Sequence, residues 1–245
     1  MTSTIGIDIG GTAIKGALVE VDTGVLTSER RSMSTPQPAL PQAVAEAVAT
    51  MCAGFPDAAS SVGITVPAVV THGVVRTAAN IDPTWIGTDA VALFEGALGR
   101  SVVLLNDADA VGIAECAIGA ARGVDGVVMV VTLGTGIGSA LIVDGRLAPN
   151  TELGHLSHDD VDMCYWACAA SMVRDNLSWA QWAQRLQVFL ARAEELVWPD
   201  LFVIGGAVSA EADRYVPLLR LHTPVVPAQL LNDSGVIGAA LATRG

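Results

Sequence analysis

Lysine is nearly missing from this 245-residue chain. Lys15 is the only one, and Lys and Arg together number 13 against 25 Asp and Glu, for a formal net charge of −12. A nucleic-acid partner needs a basic footprint on the protein, so nucleic-acid binding is excluded, and charge this negative mainly favours solubility. Aromatic residues are scarce as well, at 4%. The 51% apolar content therefore comes largely from Ala and Val, the composition of a compact α/β protein with small, tightly packed elements. Only one long apolar run exists, residues 126–143, GVVMVVTLGTGIGSALIV. It is uncharged and just long enough to suggest a membrane span. Its β-branched stretches are split by TLGTGIG, however, so it reads as two buried strands around a glycine turn, and no membrane association is expected. The N-terminus, MTSTIGID, has no basic stretch before an apolar run, hence no secretory signal. Cys52, Cys116, Cys164 and Cys168 are scattered, which suits reduced thiols and a cytoplasmic location.

Strand and helix patterns alternate along the chain, which is the α/β signature. Residues 4–9 read as a strand, Gly10-Gly11 as a turn, and residues 14–21 as the returning strand. A Pro-rich connection and an Ala/Val-rich helix at 42–51 follow. Short buried strands at 61–66 and 101–105 come next, and a helix at 108–121 leads to Gly123. Residues 126–143 then repeat the strand–glycine–strand opening. Ser178 with Gln181 forms a capping box, starting a helix whose apolar face is Trp179, Trp182, Leu186, Phe189 and Leu190. A strand at 201–204 ends in Gly205-Gly206, and residues 235–243 form a small-residue helix. The repeated opening predicts two related lobes with a cleft between them, 1–107 and 108–234, with helix 235–245 returning to pack on the first.

Several segments carry chemistry. In Asp8-Ile9-Gly10-Gly11-Thr12 the glycines let backbone approach a phosphate, and successive N–H groups make an anion-binding concavity. Asp8 is placed to hold Mg²⁺, directly or through water, and Thr12 and Lys15 to contact phosphate oxygens; an ordinary hairpin turn explains the same residues. Thr132-Leu133-Gly134-Thr135-Gly136-Ile137-Gly138-Ser139 follows the same logic and matches neither the Rossmann nor the P-loop spacing. Two such loops, one opening each lobe, suit a grip on one phosphate chain. Asp107 follows the strand at 101–105 and enters a helix, where ligands of open α/β sheets bind. A carboxylate there can take a proton from an attacking hydroxyl. Asn106, Asp107 or Asp109 also suits a helix cap, with Asp109 the better candidate for cap or solvated residue, leaving Asp107 as the base. Glu152 and His155 in Glu-Leu-Gly-His can both reach a polyol. His155, His158, Cys164 and Cys168 miss the standard zinc spacings, so no zinc is expected. The run Asp159-Asp160-Val161-Asp162 lacks the features of an EF-hand loop and reads as a solvated loop. Arg185 and Arg192, seven apart on one helix, read as a solvated face.

Taken together, GIDIGGTAIKG, GITVPAVV, TAANIDPTWIGTDA, LLNDADAVGIAE, TLGTGIGSALIVDGRL, PNTELGHL, PDLFVIGGAVS and TPVVPAQLLNDSGVIGAAL resemble the ROK family of sugar kinases and repressors, within the actin-like sugar kinase/Hsp70 fold. Within that family the resemblance is to the bacterial polyphosphate glucokinases, and it runs from residue 6 to residue 241. It implies an enzyme that moves a phosphoryl group from polyphosphate, ATP or both to the 6-hydroxyl of glucose, with Mg²⁺, in a homodimer. Asp107 would be the catalytic base. Asn80, Asn106, Asp107, Glu152 and His155 would touch the sugar. Asp8, Gly10, Gly11, Thr12, Lys15, Thr132, Gly134, Thr135 and Gly136 would cradle phosphate and Mg²⁺, with Gly205 and Gly206 near the far end of the phosphoryl donor.

The chain departs from the family pattern at several points. The zinc motif is absent, as is usual in the polyphosphate subgroup. Cys164 falls where the family has a sugar-binding Glu, and a thiol is a weak hydrogen-bond partner. Ala68 stands where Gly is usual, Gly205-Gly206-Ala207 replaces a triple glycine, and Ser209-Ala210-Glu211 lacks basic residues. Those substitutions leave two alternatives open: a weakened, sugar-binding regulatory protein, or a kinase for another hexose such as mannose. The absence of a DNA-binding helix-turn-helix before Gly6 argues against a repressor.

Overall fold

The computed structural model describes residues 3–55, 61–78 and 81–244. In chain order the elements are β1 (Ser3–Ile9), β2 (Ala13–Glu20), β3 (Arg31–Ser34), α1 (Pro41–Cys52), β4 (Ser61–Val66), β5 (Val70–Thr71), β6 (Val74–Val75), α2 (Ala90–Leu98), β7 (Ser101–Asn106), α3 (Asp107–Ile118), β8 (Val127–Leu133), β9 (Ile137–Val143), β10 (Arg146–Ala148), β11 (Ser157–His158), β12 (Val161–Asp162), α4 (Met163–Trp166), α5 (Ala170–Arg174), α6 (Trp179–Val197), β13 (Leu201–Gly205), β14 (Val225–Pro227) and α7 (Ser234–Leu241). Two compact units result: Met1–Ala114 with Asp233–Gly245, and Glu115–Asn232.

The first unit is built on a five-stranded sheet of order β3-β2-β1-β4-β7. β1 and β2 pair antiparallel, whereas β1, β4 and β7 run parallel. Ile5, Ile7 and Ile9 of β1 are buried with Val44 and Val48 of α1, Trp85, and Phe94 of α2. α1 starts with Pro41, whose missing N–H costs nothing in the first turn. α2 is capped by Asp89, which accepts from Ala92 N at 3.0 Å, and closes on Gly99 at φ 61°. α7 is made of small and apolar residues, is buried along its whole length, and packs on β1 and β4.

The second unit has a sheet of order β10-β9-β8-β13-β14. β8 and β9 pair antiparallel, and β13 runs parallel to both β8 and β14. α6 has its capping box at Ser178 and Gln181, and Trp182, Leu186, Phe189 and Leu190 are buried. Trp179 is only partly buried and stacks on Tyr215, ring centroids 5.9 Å apart. The Trp182 indole N–H is shared between the carbonyls of Ala167 and Cys168, each at 3.0 Å. Arg185 is not simply solvated: it pairs with Asp175 and lies over the Trp166 ring, while Arg192 makes an exposed pair with Glu195.

α3 begins one residue earlier and ends three residues sooner than the pattern at 108–121 predicts. The reason is Glu115. Its buried carboxylate accepts from Ala120 N at 2.8 Å and from Gln229 N and Leu230 N at 3.1 and 2.9 Å. Those bonds take the chain out of the helical ladder. Among the described residues no helix is long and apolar enough to cross a membrane, and all four cysteines are free thiols.

Candidate active site

The C-terminal ends of β1, β4 and β7 lie side by side in the first unit, and the parallel register decides which residues meet. Asp8 is opposite Lys15 on β2 and beside Thr65 on β4, and Val66 is in turn beside Asn106 on β7. The Asp8 carboxylate accepts from the Thr65 hydroxyl at 3.0 Å and stands 3.4 Å from the Lys15 ammonium. The first turn of α7 closes over it: a Cβ on Gly235 would sit 2.8 Å from the Asp8 carboxyl carbon. The following turn is held from its carbonyl side. Thr35 donates its hydroxyl to Gly10 O at 2.6 Å, the Gln37 amide donates to Gly11 O at 3.1 Å, and Thr35 N donates to Thr12 O at 3.0 Å. Gly10 N closes the turn by donating to Ala13 O at 2.9 Å, and pinning the carbonyls turns the amides of Gly11 and Thr12 the other way, as an anion site requires. Asp8 and Thr65 are hard oxygen donors, a set that suits Mg²⁺ bound through one carboxylate and phosphate oxygens.

At the end of β7 the roles of three polar residues separate. The Asn106 side-chain oxygen accepts from Ala108 N at 2.8 Å and Asp109 N at 3.2 Å, and its amide donates to Ala68 O at 3.2 Å. Asn106 is therefore the cap of α3 and ties Ala68 to the strand end. Asp109, expected as cap or solvated residue, is neither: it is 1% exposed, because its place on α3 faces inward. Asp107 is half-buried at the first position of α3, with one oxygen accepting from Ala108 N at 2.8 Å. Asn80 lies outside the described residues.

In the second unit Thr132 is the last residue but one of β8, opposite Gly138 and beside Gly205. The turn between Leu133 and Ile137 is closed by Gly134 N donating to Gly136 O at 3.0 Å, and Ala170 N donates to Gly134 O at 3.0 Å. Thr135 stands at its tip. Gly206 follows β13 at φ 86°, ψ 175°, a conformation open essentially to glycine alone, and its Cα packs on the Leu133 carbonyl. The close approach thus joins Gly205-Gly206 to the glycine turn.

Glu152 precedes the short 3-10 turn Leu153–His155, and His155 ends it. Its base is welded to β9: Ser139 Oγ accepts from Leu153 N at 3.0 Å, and Thr151 Oγ1 donates to Ser139 O at 3.1 Å. Glu152 is exposed on its outer side, yet the protein packed around its carboxyl raises its pKa by desolvation, with nearby His155 opposing the shift. Cys164, expected where the family has a Glu, is partly buried. Its sulfur accepts from Ile137 N at 3.2 Å and would lie 2.8 Å from a Cβ on Gly136. Burial pushes its thiol pKa up, so it acts as a neutral brace of the glycine turn.

Comparison with known proteins decides the family. The ROK family model matches residues 4–171. The chain belongs to the ROK family. This ROK protein is 47% identical to the polyphosphate glucokinase of Mycobacterium tuberculosis (strain CDC 1551 / Oshkosh), over 97% of this chain and 90% of that one. It is 32% identical to the glucokinase of Streptomyces coelicolor, over all of this chain and 98% of the relative. Among solved structures, the inorganic polyphosphate/ATP-glucomannokinase of Arthrobacter sp. strain KM superposes with a TM-score of 0.95 at 50% identity, covering 100% of both chains. A ROK family glucokinase from Streptomyces griseus, in complex with glucose and AMPPNP, superposes with a TM-score of 0.85 at 26% identity, covering 99% of this chain and 100% of that one. The two mixed five-stranded sheets are thus those of the actin-like sugar kinase fold.

Four residues of this ROK protein's site escaped the sequence reading: Thr35, Gln37, Thr65 and Gly235. Each acts through a partner distant in sequence. Asp162 is a fifth. Read as part of a solvated acidic run, it instead accepts from Cys164 N at 2.8 Å and meets His155 Nδ1 at 3.0 Å. A glycine at the start of a small-residue helix was the one local signal, at Gly235.

Proposed function

We propose that this ROK protein transfers the terminal phosphoryl group of polyphosphate, ATP or both to the 6-hydroxyl of glucose. The observation that carries the reading is the identity of 47–50%, across nearly the whole chain, to proteins named as polyphosphate glucokinase and polyphosphate/ATP-glucomannokinase. The site chemistry agrees with it. Asp107 takes the proton of the 6-hydroxyl as its oxygen forms the new bond to phosphorus, and the bond from phosphorus to the leaving oxygen of the donor breaks. Phosphoryl transfer asks the protein for positioning and charge stabilisation more than covalent chemistry.

The backbone amides of Gly11, Thr12, Thr135 and Gly136, in turns closed through Gly10 N and Gly134 N, the hydroxyl of Thr132 and the ammonium of Lys15 receive the phosphates, with Gly205 and Gly206 beside the donor's far end. Asn80, Asn106, Glu152 and His155 receive sugar hydroxyls. Asp8 would hold Mg²⁺, which when bound supplies positive charge against the phosphate oxygens. A homodimer in the cytoplasm completes the reading, and light scattering on the purified protein tests the dimer.

Mannose is a second acceptor in this reading, motivated by the likeness to a glucomannokinase and by Cys164 and Ala68 at family Glu and Gly positions. The test is phosphorylation of glucose and of mannose by purified protein with Mg²⁺, run in parallel with ATP and with polyphosphate. Hexose 6-phosphate is expected in at least one glucose tube, and the relative rates name the donor. No product with either donor, despite measurable glucose binding, would overturn the kinase reading in favour of a sugar-binding regulator.

A further inference from the structure

The His155 ring is held by a carboxylate, and the hold has a direction. Nδ1 lies 3.0 Å from Asp162 Oδ2. An ionised carboxylate only accepts hydrogen bonds, so Nδ1 carries the proton of this contact. In the neutral ring Nε2 is then the acceptor. Asp162 is itself fixed from two sides. Its other oxygen, Oδ1, accepts from Cys164 N at 2.8 Å and so caps α4. Its backbone closes the β11–β12 hairpin, where Ser157 faces Asp162. The turn of that hairpin is Asp159 and Asp160 at φ 49° and 62°, the pair of left-handed residues a two-residue hairpin needs. Met163 N donates to Leu156 O at 3.0 Å and fastens the hairpin beside the His155 turn. Next to Asp162, Cys164 grips Ile137 N in the glycine turn. One carboxylate therefore stands between a proposed sugar ligand and the brace of a proposed phosphate loop.

We propose that Asp162 is a positioning residue for hexose binding: it holds His155 with its proton on Nδ1, so that Nε2 presents an acceptor to a sugar hydroxyl. The inference rests on the reading of His155 as a sugar contact. Both side chains are about half exposed, at 50% and 51%, so water screens their charges and the polarity of the hydrogen bond carries the effect. A group that orients a functional histidine through its second nitrogen is a familiar device in metal sites. Here it would serve a hydroxyl instead.

Asp162→Asn separates positioning from capping. Asn caps helices as well as Asp does, and its side-chain oxygen can still accept from Cys164 N. Its amide N–H₂ then faces His155 Nδ1 as a donor, and the ring must move its proton to Nε2. The readouts are the tautomer of His155 by ¹⁵N-histidine NMR, hexose affinity by calorimetry, and the split between KM and kcat. With four histidines in the chain, the His155 signals are assigned by their loss in His155→Asn.

The wild type should show His155 protonated on Nδ1 and Asp162→Asn on Nε2. Hexose KM should rise about tenfold, the lower end of the range for such orienting groups, with kcat changed much less. A wild-type His155 protonated on Nε2 would overturn the inference, as would a reversed tautomer with unchanged hexose affinity. A protein that binds glucose but transfers no phosphoryl group would sink the kinase reading while the tautomer and affinity criteria still judge Asp162. Absence of any hexose binding would remove both.

Discussion

The chain builds the same backbone device twice, and the two copies are finished differently. β1–turn–β2 and β8–turn–β9 are both antiparallel hairpins whose first strand also pairs parallel with a later one. The first places an ion pair, Asp8 and Lys15, at its tip and has its turn carbonyls held by the Thr35 hydroxyl and the Gln37 amide. The second carries no charged residue from Val127 to Val143. Its turn is held by a thiol at Ile137 and a backbone amide at Gly134. The charged groups of the proposed chemistry, Asp8, Lys15 and Asp107, thus belong to the first unit, and neutral hydroxyl and backbone groups serve the phosphates in the second. Removing charge from the first unit should slow the reaction step. Altering the second should change binding and stability.

The sharpest test of that division is Asp107→Asn. Loss of a general base costs about 10²–10⁴-fold, and the loss should appear in kcat with glucose KM nearly unchanged. The amide keeps the shape of the carboxylate and can still accept from Ala108 N, so the thermal midpoint should hold. Full turnover in a preparation free of other kinases would remove Asp107 from the base role and blur the division.

A middle-sized effect is expected at the second turn, where two glycines two residues apart differ in surroundings. A Cβ on Gly134 would meet nothing within 4 Å, whereas one on Gly136 would meet the Cys164 sulfur at 2.8 Å. Gly136→Ala should destabilise by about 1–3 kcal/mol, the usual cost of overpacking, and Gly134→Ala should cost far less. Adding Cys164→Ala to Gly136→Ala should return much of the loss, because the new methyl takes the place of the sulfur. Denaturant unfolding of wild type, Gly134→Ala, Gly136→Ala, Cys164→Ala and the double variant reads the coupling. Equal losses at Gly134 and Gly136, or strict additivity in the double variant, would show that the thiol is not the brace.

The difference between the two hairpins also marks what could be read from residues alone. Strand–glycine–strand at 4–21 and 126–143, the strand-to-helix step at Asp107 and the Ser178–Gln181 capping box were all legible, because each is a local pattern with a local cause. The braces were not. Thr65 reaches Asp8 across 57 residues and Thr35 reaches Gly10 across 25, and only strand register and loop return bring them together. Asp109 shows a subtler failure. Residue type ranks it with Asn106 as a helix cap, but the face it occupies on α3 decides its fate, and that face is set by packing. Asp162 was hidden for the same reason: an acidic run looks solvated until a hairpin turns one member back onto a histidine.

The smallest effect expected is a pH dependence at Glu152, a carboxyl of the second unit. Burial raises its carboxyl pKa above the ordinary value, with His155 opposing. A carboxyl whose folded pKa is raised favours the native state below its unfolded pKa, and that contribution disappears as pH rises through the folded value. Glu152→Gln stays neutral throughout and has no such dependence. Relative to the variant, wild type should therefore be at its best near pH 4 and lose ground toward pH 7, in thermal midpoints recorded across that range. The outer side of Glu152 is open to solvent, so the drift should be modest. A wild type that gains on the variant as pH rises would mean that a positive partner, protonated His155 first among them, outweighs desolvation at this carboxylate. The second unit would then share the charged character assigned here to the first.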